Sequence, residues 1–138
     1  MSTLKRFSIA IESDLLKELE RLVKDNRYEN RSEFIRDMLR DRLVNEEWEK
    51  GEEVVGTITL VYDHHTRELS KKLMHVQHHH HDNVLATTHV HLDHNLCAEM
   101  NMVRGKAKGI RDMMNRLRQQ KGVKHAALSL GTTGEGLA

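Results

Sequence analysis

The sequence predicts an α+β chain of two distinct parts, a β-α-α segment followed by a βαββαβ segment. Phe7, Ile9 and Ile11 alternate with polar neighbours, and two stretches with apolar residues at helical spacing follow them. Beyond the acidic stretch that ends at Glu53, the pattern reads strand, helix, strand, strand, helix, strand. All 11 histidines of the 138 residues lie from His64 onward, so the two parts differ in chemistry as well as in period.

The run Arg6-Phe7-Ser8-Ile9-Ala10-Ile11-Glu12 has the period of a half-buried strand. Ser13 is placed to cap the next helix and Asp14 suits its positive first turn. Leu15, Leu16, Leu19, Leu22 and Val23 share one face, which carries the helix to Asp25. Asn30 with Glu33 three residues on resembles a capping box, and Phe34, Ile35, Met38, Leu39 and Leu43 make a second apolar stripe. Between the parts, Asn45 to Glu53 is acidic, with one Gly and little apolar content apart from Trp48, which reads as a linker. The expected organisation is residues 1–48, a linker at 49–53, a second domain at 54–131 and a disordered tail at 132–138.

Composition narrows the function. With 22 Lys+Arg against 21 Asp+Glu, the net charge of +1 marks no partner globally, although Lys5 and Arg6 precede every acid. No stretch approaches the roughly 20 apolar residues of a membrane span. The opening MSTLKRFSIAIESD meets acids before a signal-peptide core develops, so a soluble, cytoplasmic protein without membrane contact is expected. A single Cys forbids an intrachain disulfide and leaves Cys97 as buried filler, reactive thiol or metal ligand. No oxyanion device or orienting third residue accompanies it, so an enzyme is not expected.

A lone strand in the first part leaves its backbone groups and its Phe7-Ile9-Ile11 face unsatisfied unless a second chain supplies another. Some 48 residues also bury too little to stand alone. Pairing two such strands antiparallel gives a ribbon that rests on four helices and shows Arg6, Ser8 and Ala10 of each chain outward. Such a ribbon fits the major groove of B-DNA; the competing reading is a plain dimer interface with a solvated outer face.

The segments RFSIAI, DLLKELERL and NRSEFIRDML resemble the ribbon-helix-helix repressors, over about a third of the chain. That resemblance implies double-stranded operator DNA as partner. Arg6 would donate to guanine edges, Ala10 would offer thymine a methyl contact, and Ser8 would be permissive. Backbone amides near Arg31 and Ser32 would hold a phosphate. Ala10 lacks the hydroxyl common at that position, and the turn Asn26-Arg27-Tyr28 lacks the usual Gly.

The second part has the element order of a ferredoxin-like domain. Strands are expected over Val54 to Tyr62, Val84 to Leu92, Leu96 to Val103 and Val123 to Leu130. Helices are expected from His65 to His79, with Leu69, Leu73 and Val76 inward, and over Ala107 to Leu117. In the central hairpin, His89 and His91 share a face with Thr87. Burying Leu96, Ala98, Met100 and Met102 pairs Leu92 with Leu96, leaves Asp93-His94-Asn95 as the loop, and sets Cys97 opposite His91. Two imidazoles and a thiolate suit Zn, Ni or Cu rather than Mg or Ca. A fourth ligand has to come from elsewhere. The run His78-His79-His80-His81 is the obvious supply, though as a solvated helix terminus it would bind metal only casually.

The string QHHHHDNVLATTHVHLDHNLCAE, after VYDHHTREL, resembles the nickel-responsive transcriptional regulators of the NikR type, and with the first match the resemblance spans nearly the whole chain. It implies an ACT-like second domain that holds Ni(2+), about one per chain, in a square plane. The ligands would be His89, His91 and Cys97 of one chain and His78 of a neighbour. It also implies a homotetramer, a dimer of dimers, in which nickel promotes operator binding, mainly for repression. Metal binding should weaken as pH falls through the reference imidazole value of about 6.5. Glu33 and Asp37, four apart, are candidates for a second cation, and Tyr62, His64 and His65 for supporting roles near the metal. The other function class is a nickel or zinc storage or chaperone protein, which several weaker sites per chain would mark.

Overall fold

A computed structural model of the chain describes residues 3–80 and 82–137; His81, in the histidine run, lies outside them. Two compact units meet between Leu43 and Val44.

The first unit holds α1 (Ser13–Asp25) and α2 (Arg31–Glu49), the latter running on past the boundary. Ser13 is the first helical residue of α1 rather than its cap. Glu12 takes the capping position, its carbonyl accepting from Leu16 N at 2.9 Å, and makes no side-chain capping bond. Asn30 does cap α2, its Oδ1 accepting from Glu33 N at 2.9 Å, while the Glu33 carboxylate turns to Arg36 instead of completing the box. In the turn between the helices Arg27 occupies the left-handed region usually given to Gly, at φ 58°.

The strand expected over Arg6 to Glu12 forms no ladder among the described residues, which offer it no partner strand. Phe7 is 74% and Ile9 56% exposed, and among the described residues of this unit Phe34 is the one buried. Ile9, Ile11, Leu15, Leu22, Ile35 and Met38 border an apolar cavity of about 270 Å³.

Within this unit the Tyr28 phenol donates to the Asp37 carboxylate at 2.6 Å, and Arg40 approaches it at 3.2 Å. The phenol bond first, then Arg40, holds the Asp37 carboxyl below the usual carboxylate range, and the same bond raises the Tyr28 phenol. A depressed folded value means the contribution is present above the unfolded pKa of about 4 and is lost as pH falls through the folded one. Asp37→Asn should therefore show a shallower acid loss of stability than wild type in urea midpoints measured against pH. Superimposable acid limbs would contradict the pairing.

The second unit is a four-stranded antiparallel sheet in the order β2-β3-β1-β4, with β1 Glu53–Asp63, β2 Val84–His91, β3 Leu96–Lys106 and β4 Val123–Leu130. Helices α3 (Leu69–His79) and α4 (Ala107–Arg118) complete the βαββαβ order. Strict alternation in β1 buries Val54, Ile58, Leu60 and Tyr62 against Leu69, Leu73, Ile110, Met113 and Leu117 of the helices. α3 starts at Leu69 rather than His65, because Asp63 Oδ1 accepts from His65 N at 2.9 Å and so holds a turn there.

Two expectations change here. The face of β3 with Ala98, Met100 and Met102 is not the one the helices cover: Met100 is 48% and Met102 46% exposed, while Cys97, Glu99, Asn101 and Val103 are buried. The polar members are tolerated because Gln77 donates to Glu99 at 2.7 Å and Thr87 to Asn101 at 2.8 Å. Residues 45–49 are helix rather than linker, and Trp48 is 3% exposed in the core of the second unit. In the tail, the Thr132 and Thr133 hydroxyls accept from Gly134 N and Glu135 N.

Candidate metal centre

The β2–β3 hairpin builds the site. Leu92 N donates to Leu96 O at 2.8 Å, and Asp93 Oδ1 accepts from Asn95 N at 2.8 Å and Leu96 N at 2.7 Å, which closes the three-residue loop. Those two amides hold the Asp93 carboxyl below its ordinary value. With that loop His91 pairs with Cys97 and His89 with Glu99. The register is the expected one, although the face chosen for burial is the opposite one. Cys97 is therefore both inside the core and opposite His91.

Cys97 is 0% exposed, and its Sγ lies 3.2 Å from His91 Nδ1. His64, just past the end of β1, joins them: one donor atom from each of His64, His91 and Cys97 lies within 4.8 Å of the others. This proximity follows from the sheet, because Tyr62 of β1 pairs with Cys97 and His64 N donates to Asn95 O at 3.0 Å. His89 lies beside them, its ring 5.4 Å from that of His91 and 6.0 Å from that of Tyr62. His78 is exposed on the last turn of α3 and is not in the cluster of the single chain. His65 turns its Nε2 to His94 O at 2.8 Å.

Burial, then the nearby Asp93, Asp63 and Glu99, pushes the Cys97 thiol up, and burial with Glu99 and Cys97 pushes the Tyr62 phenol up to about 12. The nearby carboxylates Asp93, Asp63 and Glu99 also favour a cation beside the sulfur. A thiol and imidazoles fit a borderline-to-soft divalent ion, which would bind Cys97 as the thiolate.

The other candidates are placed differently. Glu33 pairs with Arg36, and Asp37 with Tyr28 and Arg40, so both carboxylates have partners inside the first unit. Arg6, Ser8 and Ala10 lie on the exposed segment before α1. Lys5, Arg6, Arg31 and Arg36 border one depression of that unit with Phe7 and Ile35. The sequence reading gave no part to Glu99, and it gave His64 a supporting one. The signal for His64 was the hairpin register extended one strand further, to β1.

The family model described as the NikR C terminal nickel binding domain matches residues 55–130, and that of ribbon-helix-helix proteins of the copG family matches residues 5–46. A protein of Solibacter usitatus (strain Ellin6076), described as a nickel-responsive regulator, is 50% identical over 135 residues, 97% of each chain. A protein of Geobacter sulfurreducens with the same description is 50% identical over 133 residues, 96% of each chain. Among solved structures, the uncharacterized protein TM1266 from Thermotoga maritima shares the fold with a TM-score of 0.53 at 14% identity, covering 57% of this chain and 98% of that one.

Proposed function

From the premise that this chain belongs to the nickel-responsive regulators, transcription regulators rather than enzymes, we propose that its Ni(II) is held by His89, His91 and Cys97 of one chain and His78 of a neighbour. The observation that carries this reading is the 3.2 Å approach of the buried Cys97 Sγ to His91 Nδ1, at the register position that also lines up His89. The ion would supply a divalent charge and directional bonds to donors of two chains, about one ion for each chain. His91 and Cys97 are fixed by backbone pairing, and His64 N and Asn95 O tie the end of β1 to the hairpin loop.

The first unit pairs with a second copy through its residue 6–12 segment, which fills the apolar border of Ile9, Ile11 and Leu15 and turns Arg6, Ser8 and Ala10 toward operator DNA. The exposed Val90, Leu92, Met100 and Met102 of the sheet give a second apolar surface for assembling a dimer of dimers. No helix among the described residues is long and apolar enough to cross a membrane, and operator binding places the protein in the cytoplasm. Nickel and DNA then share a coupling free energy of about 1–3 kcal/mol, and each tightens the other equally.

The test is a DNA titration with and without Ni(II) at fixed salt, since phosphate contacts make affinity ionic-strength dependent. Tighter binding with Ni(II) supports the reading; equal curves refute it. A second ligand set is favoured by the clustering of His64 with His91 and Cys97. His89→Ala should abolish the nickel-dependent gain, whereas His64→Ala should keep it. The reverse pattern, with both variants folded by circular dichroism, would assign His64 instead.

A further inference from the structure

We infer that Trp48 is a positioning residue, the anchor through which the metal-binding sheet restrains the helix of the DNA-binding unit; the inference rests on the regulator reading above. α2 is one unbroken helix, Arg31–Glu49, yet the boundary between compact units falls inside it, after Leu43. Its last turns therefore belong to the second unit, where Trp48 is the deepest side chain they supply, at 3% exposure. A tryptophan buried from within so acidic a stretch has specific partners.

The indole Nε1 donates to Gly131 O at 2.9 Å, just past the end of β4. The ring lies against Gly56 of β1, where a Cβ would come within 3.0 Å of Trp48 Cη2, so the missing side chain is what makes the slot. The Arg111 guanidinium of α4 stands 5.3 Å from the ring centroid on the remaining side. One side chain is thus gripped by β1, α4 and the residue after β4.

β1 then runs from this slot to Tyr62, the register partner of Cys97, over about 20 Å. The same strand lines the anchor's slot near one end and pairs with Cys97 of the metal cluster at the other. A flexible tether would pass no restraint from that cluster to α2, whereas a helix rooted by a packed ring does.

The test uses the full-length protein, Ni(II) as the metal, and a duplex selected by the nickel-loaded wild type from a random-sequence pool. Wild type should gain about 5–150-fold in DNA affinity with Ni(II). Trp48→Ala should retain Ni(II) affinity in chelator competition without DNA, and retain metal-free DNA affinity, while the nickel-dependent gain falls toward one. By reciprocity DNA should then no longer tighten Ni(II) binding. Trp48→Phe, which keeps a ring for the Gly56 slot, should recover most of the gain. Where Trp48→Ala does not fold, Trp48→Leu replaces it, filling volume without a ring or an N–H. An undiminished gain in the folded Ala or Leu variant overturns the anchor alone. A wild type with no nickel-dependent gain overturns the regulator reading, and the anchor with it.

Discussion

Cys97→Ser is expected to cost more than about 100-fold in Ni(II) affinity, since loss of even an outer partner of a metal site typically costs about 10–100-fold. Serine replaces a polarisable sulfur that ionises with one that stays a neutral hydroxyl, so the site loses its soft, charged donor. The nickel-dependent gain in DNA affinity, about 1–3 kcal/mol, should vanish while metal-free DNA binding stays at wild-type level. Because Cys97 is fully buried, the hydroxyl also carries a stability cost of about 1–3 kcal/mol, visible as a lower urea midpoint in a still cooperative transition. Isothermal titration with Ni(II) and a DNA titration on the same preparation decide the matter. Wild-type nickel affinity in the folded variant would remove Cys97 from the ligand set.

Ile9→Lys should remove DNA binding both with and without Ni(II). Ile9 borders the apolar cavity of the first unit and stands 56% exposed in the single chain, where nothing covers it. In the paired ribbon it would be buried, and an unpaired ammonium there costs about 3–5 kcal/mol, enough to lower DNA affinity about a hundredfold or more. The proposed nickel site, with its ligands on β2, β3 and α3, should keep its affinity. The two substitutions thus separate the activities: Cys97→Ser removes the response and keeps metal-free binding, whereas Ile9→Lys removes binding and keeps the metal. DNA affinity for Ile9→Lys within about threefold of wild type at matched salt would sink the ribbon.

Much of the site was readable because hairpin register obeys a short rule. Pairing Leu92 with Leu96 sets His91 opposite Cys97 whatever lies behind the sheet, and the observed pairs agree. The face was misjudged for a reason equally simple. Alternation reports two faces but not which one the helices take, and the more apolar face of β3 is the one they leave open. Asn101 and Glu99 looked like surface residues because their partners, Thr87 and Gln77, come from other elements. The linker went the same way: one tryptophan outweighs the acids around it once Gly56 provides a slot.

Local sequence, then, determined the order of the elements, the hairpin loop and the alignment of His91 with Cys97, since each rests on periodicity or on backbone groups that require partners close at hand. Tertiary structure alone decided that Cys97 lies inside, that His64 joins it, and that α2 ends inside the second unit. Those outcomes depend on which distant segments pack together, because burial and proximity between residues far apart along the chain come from the closed sheet and its helices.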